Sequence, residues 1–429
     1  MAGGDEVPEM GFVERSGCQF TINGEPFYFN GWNSYWLMAR SVDEANRINV
    51  QDMLKEAAGL GLTVCRTWAF NDAGYEALQL SPGKYDEKVF QALDYAIEQA
   101  KQYGIRLLLV FVNNWDDYGG KSQYCKWARE AGVDVDTSTT DSFFSSPSTK
   151  DFYKAHIKAI VTRVNSISGI PYSEDPTIFG WELMNEPRCL ADKTGDLLQH
   201  WIEEMANYVK SLDSKHLLTV GLEGFYGKSS PESLVANPQD WCQYLGCDFV
   251  RNHLVPSIDF ATIHAYHDAW RSDLDITGLM KQFKRWVRMH AQDTEEKLQM
   301  PLVIAEFGLS NRFGVRCQRH MFKSLFDVVY ESSILGGAAA GTMIWQLLPE
   351  GMDGFKDSYA IVASQEPVIS KLLALQSQRL KLAIELHRTN QCLLVEDEVE
   401  GKEEEKEESW LFGLKKLSIC GAGHNKYSI

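Results

Sequence analysis

Eight short apolar runs, separated by polar stretches of helical period, set the rhythm of this 429-residue chain. They fall at residues 27–33, 62–68, 105–112, 177–184, 217–221, 260–266, 301–307 and 339–345. The run 105–112 contains one polar residue, Arg106, and unbroken patterns of this kind belong to strands buried on both faces of a parallel sheet. Between the runs, apolar positions recur at helical spacing over 50–60, 88–103, 152–166, 196–213, 279–292, 319–335 and 368–386. Ahead of the first run, Asn23-Gly24 predicts a two-residue hairpin turn. Eight strands alternating with these helices predict βαβ units that close as an α/β fold, a (β/α)8 TIM barrel with long βα loops. An open doubly wound sheet is the alternative, disfavoured because no Gly-rich phosphate loop follows the first strand. The stretch 223–256, rich in Gly, Pro, Asn and Ser, reads as an insertion. The expected layout is a lead over 1–10, the barrel over 11–388 and an acidic tail over 389–429. The tail's run of Glu and Lys after Val395 cannot bury itself and is expected to be disordered.

A barrel of this kind carries its chemistry at the C-terminal ends of its strands. Reading those ends here yields Asn33, Arg66, Asn114, Trp115, Asn185, Glu186, His264, Tyr266, Glu306 and Trp345. The sharpest end is 177–187, an apolar run with one internal acid, Glu182, that stops at Asn185-Glu186-Pro187. Proline bars Glu186 from a continuing helix and biases it toward extended backbone. A carboxylic acid held there among apolar and aromatic groups would have its pKa raised and could donate a proton near neutrality.

Two glutamates on one face are the equipment of glycoside hydrolysis. One protonates the leaving oxygen, and the other attacks the anomeric carbon or activates water. Arg66 would keep one carboxylate ionised, Tyr266 could donate a hydrogen bond to it, and Trp115 and Trp345 offer flat faces for sugar rings. A metal site is the competing chemistry, with His264 and His267 as donors. The chain has no HExxH and no DxDxDG-type loop, however. It has no GxSxG elbow for a serine nucleophile either. Metal-free acid–base catalysis with no cofactor fits the set. A sugar-binding barrel without activity is the reading from another class.

Composition narrows the partners. A formal net charge of -17 argues against nucleic acid and anionic membranes and favours a neutral substrate. No transmembrane-length apolar run occurs. Nine scattered cysteines form no CxxC pair, though Cys242 and Cys247 are close enough in sequence to bridge a loop. Residues 1–10 are acidic and carry no signal-peptide pattern, and there is no Asn-x-Ser/Thr sequon.

Trp181-Glu-Leu-Met-Asn-Glu-Pro-Arg188, with Cys65-Arg-Thr-Trp-Ala-Phe70 upstream and Ile304-Ala-Glu-Phe-Gly308 downstream, resembles glycoside hydrolase family five of clan A. Within that family the chain looks like the plant endo-β-1,4-mannanases, through Phe29–Leu37, Val112–Gly120, Gly221–Gly227, Asp259–Tyr266 and Trp345. The resemblance covers roughly residues 10 to 388. It implies a retaining endo-glycosidase cutting mannan, glucomannan and galactomannan, with an endo-β-1,4-glucanase on the same scaffold as the alternative. Matched position by position, Glu186 is the expected acid/base and Glu306 the expected nucleophile. Asn185 is expected to bond the sugar 2-hydroxyl, Arg66 and Tyr266 to hold the nucleophile, and Trp345 to lie under the sugar at the cleaved bond. Trp68, Asn114, Trp115 and His264 complete the expected substrate-binding set. Retention implies carboxyl groups about 5–5.5 Å apart. The family also implies an extracellular, cell-wall location, with a cytoplasmic one or a truncated N-terminus as the alternatives, since no signal-peptide pattern is visible. His267 stands where proline is expected, and the acidic tail has no family counterpart.

Overall fold

The computed structural model describes residues 10–136 and 138–400. An antiparallel meander, Val13–Ser16, Gln19–Ile22 and Glu25–Phe27, opens the chain. Asn23 and Gly24 turn it with φ of 53° and 82°, the positive pair that a tight hairpin turn demands. Its Phe20 packs edge-on against Phe179 and Phe260, with ring centroids at 5.3 and 5.5 Å. Phe29 sits 6.2 Å from the same ring. The meander thereby plugs one end of the barrel with aromatic surface.

The barrel strands are β1 (Phe29–Asn33), β2 (Val64–Trp68), β3 (Arg106–Val110) and β4 (Ile178–Glu182). They continue with β5 (Leu217–Thr219), β6 (Ala261–Ala265), β7 (Leu302–Phe307) and β8 (Ala339–Ile344). Every residue in these strands is buried. All neighbours are parallel, in the order β5-β4-β3-β2-β1-β8-β7-β6. The remaining seam between β5 and β6 is bridged by Asp259 N–H to the Leu218 carbonyl at 2.8 Å and Thr219 Oγ1 to the Phe260 carbonyl at 2.8 Å. Gly341 is required inside β8, because a Cβ there would lie 2.4 Å from the Phe29 ring.

The helices that cover the strands are α1 (Arg47–Gly59), α2 (Glu87–Gln102), α3 (Pro147–Val161) and α4 (Asp196–Leu212). The series continues with α5 (Phe249–His253), α6 (Ile276–Asp293), α7 (Gly314–Leu335) and α8 (Pro367–Glu400). The predicted third helix, 152–166, is displaced. Pro147 starts it five residues early, as proline suits a first helical turn. Asn165 then takes the chain into a turn by accepting from Ile167 N–H at 2.9 Å. The long loop after β3 holds an unpredicted helix, Gly120–Glu130. One compact unit ends at residue 384 and a second begins at 385. α8 runs beyond its predicted end at 386, and the expected acidic tail past residue 400 lies outside the described residues, as does most of the expected lead.

Candidate active site

The polar residues at the strand ends meet around one guanidinium. Arg66, on β2, is fully buried and opposite Asn33 in register. Its Nε and Nη2 donate to the two oxygens of Glu182 at 3.0 and 2.5 Å. Nη1 donates to Glu306 Oε1 at 2.5 Å and Asn33 Oδ1 at 3.2 Å, and Nη2 also reaches Asn185 Oδ1 at 2.7 Å. One cation therefore ties β1, β2, β4 and β7 together. Glu182, singled out above only as an interruption of an apolar run, is the buried counter-ion. Gly221 makes room for it, since a Cβ there would fall 2.6 Å from Glu182 Oε1.

Glu306 receives a second bond on its other oxygen, from the Tyr266 hydroxyl at 2.7 Å. Burial pushes this carboxyl above its ordinary value, and the His264 and Arg66 charges and Tyr266 oppose the push. Glu186 sits across from it. Asn185 N–H and Glu186 N–H bond to the Val112 and Gly221 carbonyls, both at 2.9 Å. Pinned by the neighbouring strands on both sides, the chain leaves the sheet with Glu186 at φ 54°. The expectation of extended backbone at Glu186 is thus corrected to a left-handed one, a conformation that non-glycine residues hold only when their surroundings impose it.

Glu186 Oε1 lies 2.6 Å from His264 Nδ1, and its Oε2 accepts from Trp115 Nε1 at 2.7 Å. Burial pushes Glu186 up as expected. The bonded imidazole, the Arg188 charge and the indole N–H outweigh it and bring the carboxyl down to about 2. His264 moves the opposite way, raised against burial by Glu306 and Glu186. The pair therefore shares one proton, and its titration belongs to neither residue alone.

Glu186, Glu306, Tyr266, Asn185 and Trp115 line a cleft of about 640 Å³ at the C-terminal ends of the strands, whereas Arg66 and His264, expected to bind substrate, are fully buried and do not line it. Trp345 forms one wall, stacked on Tyr35 at 5.6 Å and 9° and held by its Nε1–H to Asp357 at 2.8 Å. Trp68 packs beside it with ring centroids 6.2 Å apart, and the Arg66 guanidinium lies 5.0 Å from the Trp68 ring. Trp115 is 39% exposed, with Arg188 5.0 Å from its ring. Asn114 does not face this cleft. It accepts from Arg188 N–H at 3.2 Å and borders a neighbouring depression, while Asn113 lines the cleft and accepts from Asn185 Nδ2 at 3.0 Å.

Sequence reasoning also missed the Arg188–Glu223 pair, bonded at 2.7 and 2.6 Å in the cleft wall. Burial and the nearby Glu186 carboxylate raise Glu223 to about 7. The only early signal was that both residues lie inside the quoted motifs. Cys242 and Cys247 are free thiols.

One ligand atom each from Glu186, His264 and Glu306 lies within 4.8 Å of the others, a spacing that could hold a cation. Both Glu306 oxygens are already bonded by Arg66 and Tyr266, and a cation would have to sit beside a buried guanidinium. Proton chemistry suits the trio better.

Comparison with known proteins agrees with this geometry. Residues 10–351 match the model for glycoside hydrolase family 5, β-mannosidase-like. The chain is 49% identical over 375 residues to mannan endo-1,4-β-mannosidase 2 of Arabidopsis thaliana, covering 87% of this chain and 86% of that one. It is 48% identical over 374 residues to mannan endo-1,4-β-mannosidase 2 of Oryza sativa subsp. japonica, covering 86% and 84%. Among solved structures it is similar to the endo-β-1,4-mannanase from Thermotoga petrophila. There the TM-score is 0.71 at 30% identity, with 83% of this chain and 78% of that one covered.

Proposed function

The chain belongs to glycoside hydrolase family 5, and on that premise we propose that Glu306 is the nucleophile and Glu186 the acid/base of its double displacement. The enzyme hydrolyses β-1,4-mannosidic linkages within mannan chains and retains anomeric configuration. The observation that carries the assignment is the spacing: one oxygen of each glutamate lies within 4.8 Å of the other. That approach suits a retaining pair and falls short of the roughly 6.5–9.5 Å that accommodates an inverting water.

In the first step a Glu306 oxygen attacks the anomeric carbon while the glycosidic bond breaks. The departing oxygen takes the proton shared by Glu186 and His264 across 2.6 Å. Arg66 and Tyr266, at 2.5 and 2.7 Å, aim the Glu306 carboxylate and oppose the upward push of burial on it. In the second step Glu186, now a carboxylate, accepts a proton from water as that water attacks the same carbon and the bond to Glu306 breaks. Two inversions restore the starting configuration. Trp345 serves as the platform for the sugar being attacked, and Trp115 and Arg188 flank the leaving side. Asn185 keeps its Oδ1 on Arg66 and its amide on Asn113, so its second amide hydrogen is the one offered to the 2-hydroxyl.

No described helix is long and apolar enough to cross a membrane. A mannan substrate supports a working location in the plant cell wall, which fractionation of tissue expressing the tagged chain would test. Incubating the purified protein with mannan and following the anomeric protons of fresh products by NMR tests the activity. Newly formed β-anomers are expected, and first-formed α-anomers or an absence of oligosaccharides would overturn the reading.

A further inference from the structure

The outer wall at α6 and α7 reverses the charge of the rest of the chain. Asp and Glu outnumber Lys and Arg by 59 to 42, yet residues 276–292 and 314–326 contain no acid at all. Their cations repeat one pattern. Lys281, Lys284, Arg285 and Arg288 stand at i, i+3, i+4 and i+7 on α6, and Arg316, Arg319, His320 and Lys323 do the same on α7. That spacing puts each set on one helix face, along about 10 Å of axis. Like charges at i, i+4 weaken a helix, so each stripe works against the element that carries it. Little of the charge is neutralised locally. Lys323 pairs with Asp327 at 2.6 Å, and Arg285 donates to the Val235 carbonyl at 3.2 Å. The nearest acids are otherwise engaged: Asp275 caps α6 at Gly278 N–H, and Arg271 and Lys297 hold Asp273 and Asp293. Among the described residues, Lys281, Lys284, Arg288, Arg316 and Arg319 form no ion pair. The two helices pack on one another, and a depression of about 630 Å³ lies between their first turns. Lys281, Lys284, Arg316 and His320 line it together with Ile276 and the buried Met280.

From these observations we propose that the depression and its two cationic stripes bind an acidic polysaccharide, a chain of uronic acid residues. Such a chain offers one carboxylate per sugar to the ammonium and guanidinium groups, and the C–H faces of its rings to Ile276 and Met280. Single-stranded nucleic acid stacks its bases on aromatic platforms, and no Phe, Tyr or Trp lines the depression. A bilayer stays above a concavity that a single strand enters. The choice of a polysaccharide rests on the mannan-cleaving reading above, which sets the enzyme to work among glycans. Helices begin where strands end, so these first turns stand at the cleft's end of the barrel, on its outer wall. A polyanion bound there holds the enzyme in place and leaves the cleft open to mannan. The net charge of -17 opposes this weakly, because screening confines its reach to about 10 Å at 0.1 M salt.

The test follows the anisotropy of fluorescently labelled decagalacturonate with the full-length chain, in parallel with kcat and KM on mannohexaose. Lys281→Glu with Arg316→Glu is expected to weaken binding by about tenfold or more, and raising salt from about 20 to 300 mM should weaken the native chain's binding comparably. The same double variant should keep its mannohexaose constants. Lys55→Glu with Lys88→Glu, on α1 and α2, should leave both readouts unchanged. The reversal replaces repulsion on each helix by attraction, and an unchanged Tm checks that the variant folds. No binding, binding unmoved by the reversal, or tighter binding of a labelled RNA decamer or of anionic vesicles would overturn the proposal. A chain that cleaves no mannan removes the catalytic reading alone, since the binding ratio needs no turnover.

Discussion

At the scale of single residues, the site is an arrangement of protons. Glu306 is held by two donors, Arg66 at 2.5 Å and Tyr266 at 2.7 Å, whereas Glu186 faces an imidazole that gives and takes a proton. Glu306→Gln is expected to abolish turnover of mannan. Glu186→Gln should lower kcat by about 10²–10⁴-fold on mannan. It should cost far less on an aryl mannoside whose leaving group departs unprotonated, and equal losses on the two substrates would contradict the acid/base role.

The pH profile follows from the same residues. As the proposed nucleophile Glu306 must be ionised, and burial sets it above its ordinary value of 4.5, so activity should fall as pH drops through a limb above 4.5. The pair of Glu186 and His264 must keep its proton, and His264 is raised above 6.5, so activity should fall again as pH rises through a limb above 6.5. Removing one of two sites that share a proton weakens its retention. His264→Asn is therefore expected to move the alkaline limb of kcat/KM to lower pH, and an unmoved limb would place the proton elsewhere.

At the scale of elements, the barrel holds its machinery through a salt bridge that spans strands. Arg66 on β2 and Glu182 on β4 are both fully buried, and Arg66 continues to Glu306 on β7. Glu182→Ala leaves Arg66 with one carboxylate instead of two. Breaking a buried pair costs about 3–5 kcal/mol, so a destabilisation of that order in urea unfolding is expected. Loss of activity should accompany it, because Asn185 and Glu306 share the same guanidinium. A variant with unchanged stability would mean that Asn185 and Asn33 compensate fully. The elements themselves were largely legible. All eight strands were visible as apolar runs because burial on both faces leaves no polar alternation to confuse them. Helix starts were less so at α3 and in the loop after β3, where loop contacts such as Lys121 N–H to the Asn113 carbonyl at 2.8 Å, rather than periodicity, place the helix Gly120–Glu130.

At the scale of the whole molecule, a neutral chain is cut by a protein of net charge -17. Long-range attraction plays no part in such an encounter, so kcat/KM on mannan should change less than about twofold between 50 and 500 mM salt. A strong salt dependence would point to a charged substrate. Mannohexaose should be cleaved faster than cellohexaose, and the reverse order would return the glucanase alternative.

The sequence by itself determined the barrel and the strand ends at which Glu186 and Glu306 come together. Apolar periodicity and strand-end polarity are local properties, and they survive without knowledge of contacts. Only the tertiary structure decided how those residues are used. It paired Glu182 with Arg66 across 116 residues of sequence and turned Asn113, rather than Asn114, into the cleft. It bent Glu186 into a left-handed turn and set His264 against it, which lowered a carboxyl that burial alone would have raised. Each of these depends on which strand lies next to which and on where a side chain points after its strand ends. Both are fixed when the barrel closes, and neither is written in the spacing of residues along the chain.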